Sequence, residues 1–314
     1  MPMLLKKFLL TFGLLFTTGI AVAAPDLSQK SDTAPLYTPD SRYRFATLDF
    51  QSADSKRRYR VYLGVPQTAV PKQGHNVLYA LDANALTENL TPSRLNTFKQ
   101  PPVLVLIGYD TDLRFDTAAR AHDYTPPNHH GQTFSDAVDP TRTHGGAADF
   151  LQLINTAIRP QIQAHVKLNP ERQMLWGHSY GGLFVLYTLL NSPQSFTHYI
   201  AADPALWFEQ GSLYQQYQAA FRQPDVFGNR TLFIEQSQRK RERDTSKLTP
   251  EQAARLAARQ QSAAQLPSDA GKKLTEQMSA RNDIRAKFTG YPDLDHGSIL
   301  PISFLHALEI AAEP

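Results

Sequence analysis

Ser179 stands in Trp176-Gly177-His178-Ser179-Tyr180-Gly181-Gly182, a Gly-x-Ser-x-Gly spacing between the apolar run Gln173 to Trp176 and the helix-like Leu183 to Leu190. The chemistry this pattern supports is attack by a hydroxyl. A tight strand-to-helix turn lifts the serine clear of the backbone, and glycine at the flanking positions lets neighbouring chain come close. The first N–H groups of the following helix favour negative charge developing at the reacting centre. Five residues alone are a common pattern, and the strand before and helix after them give this one its weight.

A serine hydroxyl needs a base to take its proton. Of the ten histidines, His296 lies in Asp293-Leu294-Asp295-His296-Gly297-Ser298, after the strand-like Ile284 to Thr289 and before a C-terminal helix. That is the late position of the base in the chain order nucleophile, acid, base. His306 falls inside the last helix and reads as structural. An orienting acid is expected after Thr231 to Ile234, where Glu235, Glu242 and Asp244 all qualify by order. Glu235, at the strand end, is the first choice, and a Ser-His dyad without an acid stays open. Oxyanion stabilisation requires the amide after the nucleophile, Tyr180, and one from the loop Asp82-Ala83-Asn84, assigned to Asn84. His129, His130 and His144 match neither a helical pair nor a finger and read as loop histidines, so no metal is expected. Acyl transfer to serine requires no cofactor.

The elements that must position these groups show in the hydrophobic pattern. Tyr43 to Phe50 and Arg58 to Val65 alternate as half-buried strands do, joined by a turn at Ala53-Asp54-Ser55, and predict an antiparallel hairpin. Short apolar runs follow at Asn76 to Leu81, Val103 to Ile107, Gln173 to Trp176, His198 to Ala202 and Thr231 to Ile234. Runs buried on both faces and alternating with helical stretches predict an α/β fold, a mostly parallel sheet with helices on each side. Phe150, Leu153, Ile154, Ala157, Ile158 and Ile162 recur at helical spacing. The stretch 248–281, rich in Ala, Gln, Arg and Lys, reads as an exposed helical insertion in a single domain running from 42 to 314.

Residues 1–23 carry Lys6 and Lys7, an apolar stretch from Phe8 to Val22 and the small-x-small ending Ala21-Val22-Ala23, the pattern of a secretory signal peptide. A flexible lead-in is expected over 24–41, and no membrane span once the leader is gone. Cysteine is absent, which removes disulfides, thiolate metal sites and cysteine nucleophiles together. Loss of the two leader lysines takes the balance from 32 basic against 29 acidic residues to 30 against 29. A nucleic-acid partner would want a clear basic excess, so none is expected.

The blocks Val77 to Asn84, Ile107-Gly108-Tyr109, Arg120 with Asp123-Tyr124-Thr125-Pro126, Gly145-Gly146-Ala147, Gly177 to Gly182, Pro204-Ala205-Leu206-Trp207 and Asp295-His296-Gly297 fall in the order of the esterase D-like α/β-hydrolases. Within that group the chain is most similar to the periplasmic siderophore esterases that open the trilactone of enterobactin and salmochelin. The resemblance implies an α/β-hydrolase fold and a Ser-His enzyme, often described as a dyad, acting on a tri-catecholate macrolactone or its ferric complex in the periplasm. Two departures stand out: Ala83 where the family commonly has Gly, and Asp203-Pro204-Ala205 in place of a usual Ser-Pro-Ser, which would reshape the pocket beside Trp207. For such an anionic substrate, Arg120 and the run Arg239-Lys240-Arg241 with Arg243 would supply a basic rim, while Tyr109, Trp207 and Phe208 would pack on catechol rings. The competing readings are an exported carboxylesterase for aryl or feruloyl esters and a periplasmic protein that holds a siderophore without cutting it.

Overall fold

The computed structural model describes residues 28–239, 245 and 248–314. The expected leader lies outside them, as do Lys240, Arg241, Glu242, Arg243 and Asp244. The chain opens with the expected hairpin: β1 (Tyr43–Gln51) and β2 (Arg58–Pro66) pair antiparallel, Tyr43 opposite Pro66 and Gln51 opposite Arg58. Next come β3 (His75–Leu81), α1 (Ala83–Leu86), α2 (Pro92–Leu95), β4 (Val103–Tyr109) and α3 (Thr117–Asp123). A small hairpin of β5 (Phe134–Ser135) and β6 (Thr143–His144) precedes α4 (Ala147–Leu153) and α5 (Arg159–His165). The second half contains β7 (Leu168–His178), α6 (Tyr180–Asn191), β8 (His198–Ala202), α7 (Ser212–Ala220) and β9 (Arg230–Ser237). It closes with α8 (Pro250–Ala263), α9 (Ala270–Ser279), β10 (Ile284–Tyr291) and α10 (Ile299–Ala311).

Eight strands form one sheet in the order β1-β2-β4-β3-β7-β8-β9-β10. The β1–β2 and β2–β4 pairs are antiparallel, and every pair from β4 to β10 is parallel. Because strand side chains alternate, each run feeds two cores. Val77, Tyr79 and Leu81 of β3 with Val103, Val105 and Ile107 of β4 meet Phe150, Ile154, Ile158 and Phe184 on one face. Leu78, Ala80, Leu104, Leu106 and Trp176 meet Phe304, Ala307 and Leu308 of α10 on the other. Trp176 donates its indole N–H to Ser303 Oγ (2.9 Å), satisfying the one polar atom of a fully buried ring. A π-helical turn at Ile154–Ile158 joins α4 to α5 just before Pro160, whose missing N–H and bulky ring disturb regular winding.

Two sequence expectations need correcting. The lead-in is docked from Gln29 onward, where Arg114 N–H donates to Gln29 O (2.9 Å) and Ser31 N–H to Asp112 O (2.8 Å). Leu36, 2% exposed, anchors it, an apolar residue that the surrounding prolines and polar residues conceal. The stretch 248–281 is not uniformly exposed. α8 buries no residue, whereas α9 buries Ala270, Leu274, Thr275 and Met278 and packs on the sheet.

Candidate active site

The parallel strands converge at their carboxyl ends, where open α/β sheets place their ligand sites. Ser179 follows β7 directly, Asp203 follows β8, the Asp82 loop follows β3, and β10 leads into the loop of His296. Ser179 adopts φ 60°, ψ −114°, a strained conformation that lifts its side chain off the turn. Two close approaches force glycine beside it. A Cβ on Gly177 would lie 2.4 Å from Gly181 O, and one on Gly182 would lie 2.9 Å from Ala202 O. The turn is pinned by Ser179 N–H donating to Ala202 O (2.9 Å) and by Ala205 N–H donating to Ser179 O (3.0 Å).

His296 Nε2 lies 3.0 Å from Ser179 Oγ. Its Nδ1 lies 2.9 Å from Asp203 Oδ2, so Nδ1 carries the proton and Nε2 presents its lone pair to the serine hydroxyl. Asp203 follows β8 in a left-handed conformation (φ 43°), which aspartate tolerates better than most residues, and its N–H donates to Glu235 O (2.7 Å). Ser237 donates its N–H to Asp203 Oδ1 (3.1 Å) and its hydroxyl to Oδ2. Behind the site, His178 Nε2–H donates to the carbonyl of His296 (2.8 Å). Burial, followed by electrostatic interaction with His296 and Arg120, pushes His178 well below the ordinary histidine pKa, which favours its neutral form.

The loop around His296 is set by Asp295, whose Oδ1 accepts from Gly297 N–H (3.1 Å) and Ser298 N–H (2.9 Å). Oδ2 of Asp295 pairs with Arg239 at 3.0 Å, so Arg239 of the expected basic rim is engaged in shaping this loop. Backbone bonding from Ser298 holds the Asp295 carboxyl well below the usual carboxylate range. His178, Asp203 and His296 are the one group of potential metal ligands brought together among the described residues. Their polar atoms are already directed at Ser179, Ser237 and one another, an arrangement for moving a proton.

Glu235, the first choice for the acid, is elsewhere. Its side chain turns beneath α10, where Oε1 meets His306 Nδ1, and it does not reach His296. Sequence reasoning missed Asp203 because it follows β8, one strand earlier than the acid was sought, and its Ala-Ala-Asp-Pro setting reads as a turn. The available signal was the departure from Ser-Pro-Ser, which was attributed to pocket shape.

Tyr180 opens α6, so its amide lies in the first turn and has no partner within the helix. Asn84 is the second residue of α1, with its amide likewise in the first turn. Its side chain locks the loop to β4, accepting from Tyr109 N–H (3.0 Å) and donating to Tyr109 O (3.1 Å) and Thr111 O (2.9 Å). The left-handed residue of this loop is Asp82 (φ 57°), and Ala83 is absent from the positive-φ residues, so Ala83 needs no glycine.

Arg120 is placed differently from a rim cation. It grips Asp82 with two hydrogen bonds (3.0 and 2.9 Å), reaches His178 O (3.4 Å) and stacks against Phe115, Tyr124 and Tyr180. The acid beside it in sequence, Asp123, pairs instead with Arg57 (3.0 Å). Tyr109 is only 3% exposed, donates to Asp123 Oδ2 (3.2 Å) and packs on Tyr59, so its ring belongs to the core and not to a substrate. Trp207 is half-buried beside Tyr180 (ring centroids 5.9 Å), with Arg259 of α8 4.9 Å above its ring, while Phe208 meets Tyr180 edge-on. His144 is buried and bonded to Asp136 (2.9 Å), and His129 lies against His130.

Residues 52–279 match the family described as "Putative esterase". The chain belongs to this esterase family. Among curated proteins the esterase is 42% identical over 166 residues to the apo-salmochelin esterase of Escherichia coli O6:H1 (strain CFT073), a match spanning 52% of either chain. It is 28% identical over 276 residues to the ferri-bacillibactin esterase BesA of Bacillus subtilis (strain 168), covering 84% of this chain and 88% of that protein. Among solved structures, the enterobactin and salmochelin hydrolase IroE superposes with a TM-score of 0.62 at 31% identity, over 87% of this chain and 96% of that one. The sheet order, the flanking helices and these likenesses make the fold that of an α/β-hydrolase.

Proposed function

We propose that this esterase is an exported serine hydrolase that opens the trilactone ester bonds of a catecholate siderophore such as enterobactin, free or as its ferric complex. The observation that carries the reading is the Ser179 Oγ to His296 Nε2 contact of 3.0 Å on a nucleophile elbow. It occurs in a chain similar to proteins named as siderophore esterases. Ser179 Oγ attacks a lactone carbonyl while its proton passes to His296 Nε2. The tetrahedral oxyanion is held by the Tyr180 and Asn84 amides. The leaving alkoxide takes the proton from His296, and water, deprotonated by the same imidazole, then releases the acyl group from Ser179. Each ester opened consumes one water, and no cofactor takes part.

The surroundings suit an aromatic, anionic substrate. Trp207 offers a ring beside the nucleophile with Arg259 above it. Arg142 makes no ion pair among the described residues, its Nε is buried without a partner, and burial reinforced by Arg255 lowers its pKa. Such a cation gains from an incoming anion. The leader read from the sequence would deliver the protein to the periplasm, and among the described residues no helix is long and apolar enough to cross a membrane. A complete nucleophile–base pair speaks for turnover over mere retention of the siderophore.

The test compares wild type with Ser179→Ala on enterobactin, ferric enterobactin and a simple aryl ester, with products separated by chromatography and mass. Ser179-dependent trilactone opening that outpaces the aryl ester is expected, with the variant slower by roughly 10⁶-fold. Cleavage of the aryl ester alone would discard the substrate, and binding without cleavage would discard the enzyme.

A further inference from the structure

We infer that Asp203, clamped by Ser237, is the positioning acid of this esterase, so that the chain works as a triad whose acid follows β8 instead of β9. The inference rests on the serine hydrolase reading above and deepens it. An acid that orients a catalytic imidazole must reach Nδ1, be held in place itself, and keep its charge out of bulk water. Asp203 meets all three conditions. Oδ2 lies 2.9 Å from His296 Nδ1, the side chain is only 9% exposed, and Ser237 supplies two donors, one to each carboxylate oxygen.

The strand-end acid of β9 is buried and held, but fails the first condition, because its partner is not His296 Nδ1. Glu235 is bound to His306 on the far side of the strand, and its contribution to the site is only the backbone carbonyl that accepts Asp203 N–H. Among the described residues, the charged and titratable groups bonded around His296 are Asp203 from the β8 end, His178 from the β7 end, and the Asp295–Arg239 pair in its own loop. Of these, Asp295 is spent on backbone N–H groups and Arg239, and His178 is neutral and bonded to a carbonyl. Among the described residues, Asp203 alone places an anion against the ring nitrogen that must stay protonated while Nε2 accepts the serine proton. Ser237 is a positioning residue one step further out, because its hydroxyl donates to the same Oδ2 that receives Nδ1–H.

The experiment examines Asp203→Asn, Asp203→Ser, Asp203→Glu and Glu235→Gln in the full mature protein by three readouts. These are kcat and KM on an aryl ester, the rate at which a fluorophosphonate labels Ser179, and the far-downfield proton NMR resonance of His296 Nδ1–H. An amide at 203 also permits the wrong imidazole tautomer, so Asp203→Asn should lower kcat by roughly 10⁴-fold with KM little changed. Labelling should slow in parallel. Asp203→Ser should lose less, Asp203→Glu should recover part of the rate, and Glu235→Gln should keep kcat near wild type. The downfield proton should be present in wild type and missing from Asp203→Asn and His296→Gln. Loss of rate in Glu235→Gln with Asp203→Asn unaffected would overturn the assignment, as would a wild type without that resonance. Labelling and the resonance need no ester, so failure of the proposed substrate leaves this test intact, and the wild-type resonance decides even if a variant does not fold.

Discussion

Glu235 and His306 form an ion pair away from His296, and it ties α10 to the sheet. Hydrogen bonding to Glu235, offset in part by burial, raises the His306 pKa above its ordinary value. Its stabilisation is fully present below the unfolded histidine pKa of about 6.5 and is lost as pH rises through the raised folded value. His306→Asn keeps a donor at the Nδ1 position but no charge. Its melting temperature should fall furthest below wild type on the acid side of that window, above the carboxylate range, and the two curves should converge as pH rises past it. A constant gap would mean that packing, not charge, joins the pair. At the elbow, Gly177→Ala places a methyl carbon 2.4 Å from Gly181 O, where only backbone can yield. Soluble protein should lose both stability and Ser179 labelling by a fluorophosphonate. Ser179 and His296 were legible because each sits in a local pattern that its neighbours spell out. Asp203 was not, since its partner is 93 residues away and only the packing of the β8 and β9 ends brings Ser237 to hold it.

Among the elements, the loop from β3 to α1 depends on α3 for its shape, through the double hydrogen bond of Arg120 to Asp82. Asp82 has a side chain 1% exposed, so Arg120→Met strands a buried carboxylate at a cost of about 3–5 kcal/mol. Urea unfolding should show a loss of that order, and Arg120→Lys should recover only part of it because an ammonium cannot copy the two-pronged grip. α8 behaves differently. It carries a capping box in which Thr249 Oγ1 accepts from Gln252 N–H (3.2 Å), and it buries no residue. Thr249→Ala removes about 1 kcal/mol from that helix. Hydrogen exchange should therefore speed up in α8 while the exchange of β7 and α6 stays unchanged, and faster exchange throughout would tie α8 to the global fold. The strands of the parallel sheet were readable from their short apolar runs. Arg120 was read as a substrate contact because nothing local announces that Asp82, 38 positions away, faces it.

For the molecule as a whole, one sheet with a separate core on each face carries Ser179, Asp203 and His296 on the connections that follow its strands, where their side chains meet. The alternation of β3 and β4 residues between those cores is why the fold class was evident from pattern alone. The docked lead-in was hidden, since one buried leucine among prolines carries no periodicity. The leader makes a prediction at this scale: expressed with its first 23 residues, the protein should be recovered from the periplasm with an intact mass that starts at Ala24. Uncleaved protein in the membrane fraction would replace export with anchoring. The most direct test of the central claim is to mix the esterase with enterobactin, quench within the first turnover, and measure the intact mass of the protein. The account predicts a transient adduct of the opened trilactone that maps to Ser179 and is missing from Ser179→Ala. Hydrolysis without any adduct on Ser179, or an adduct that persists in the alanine variant, would contradict it.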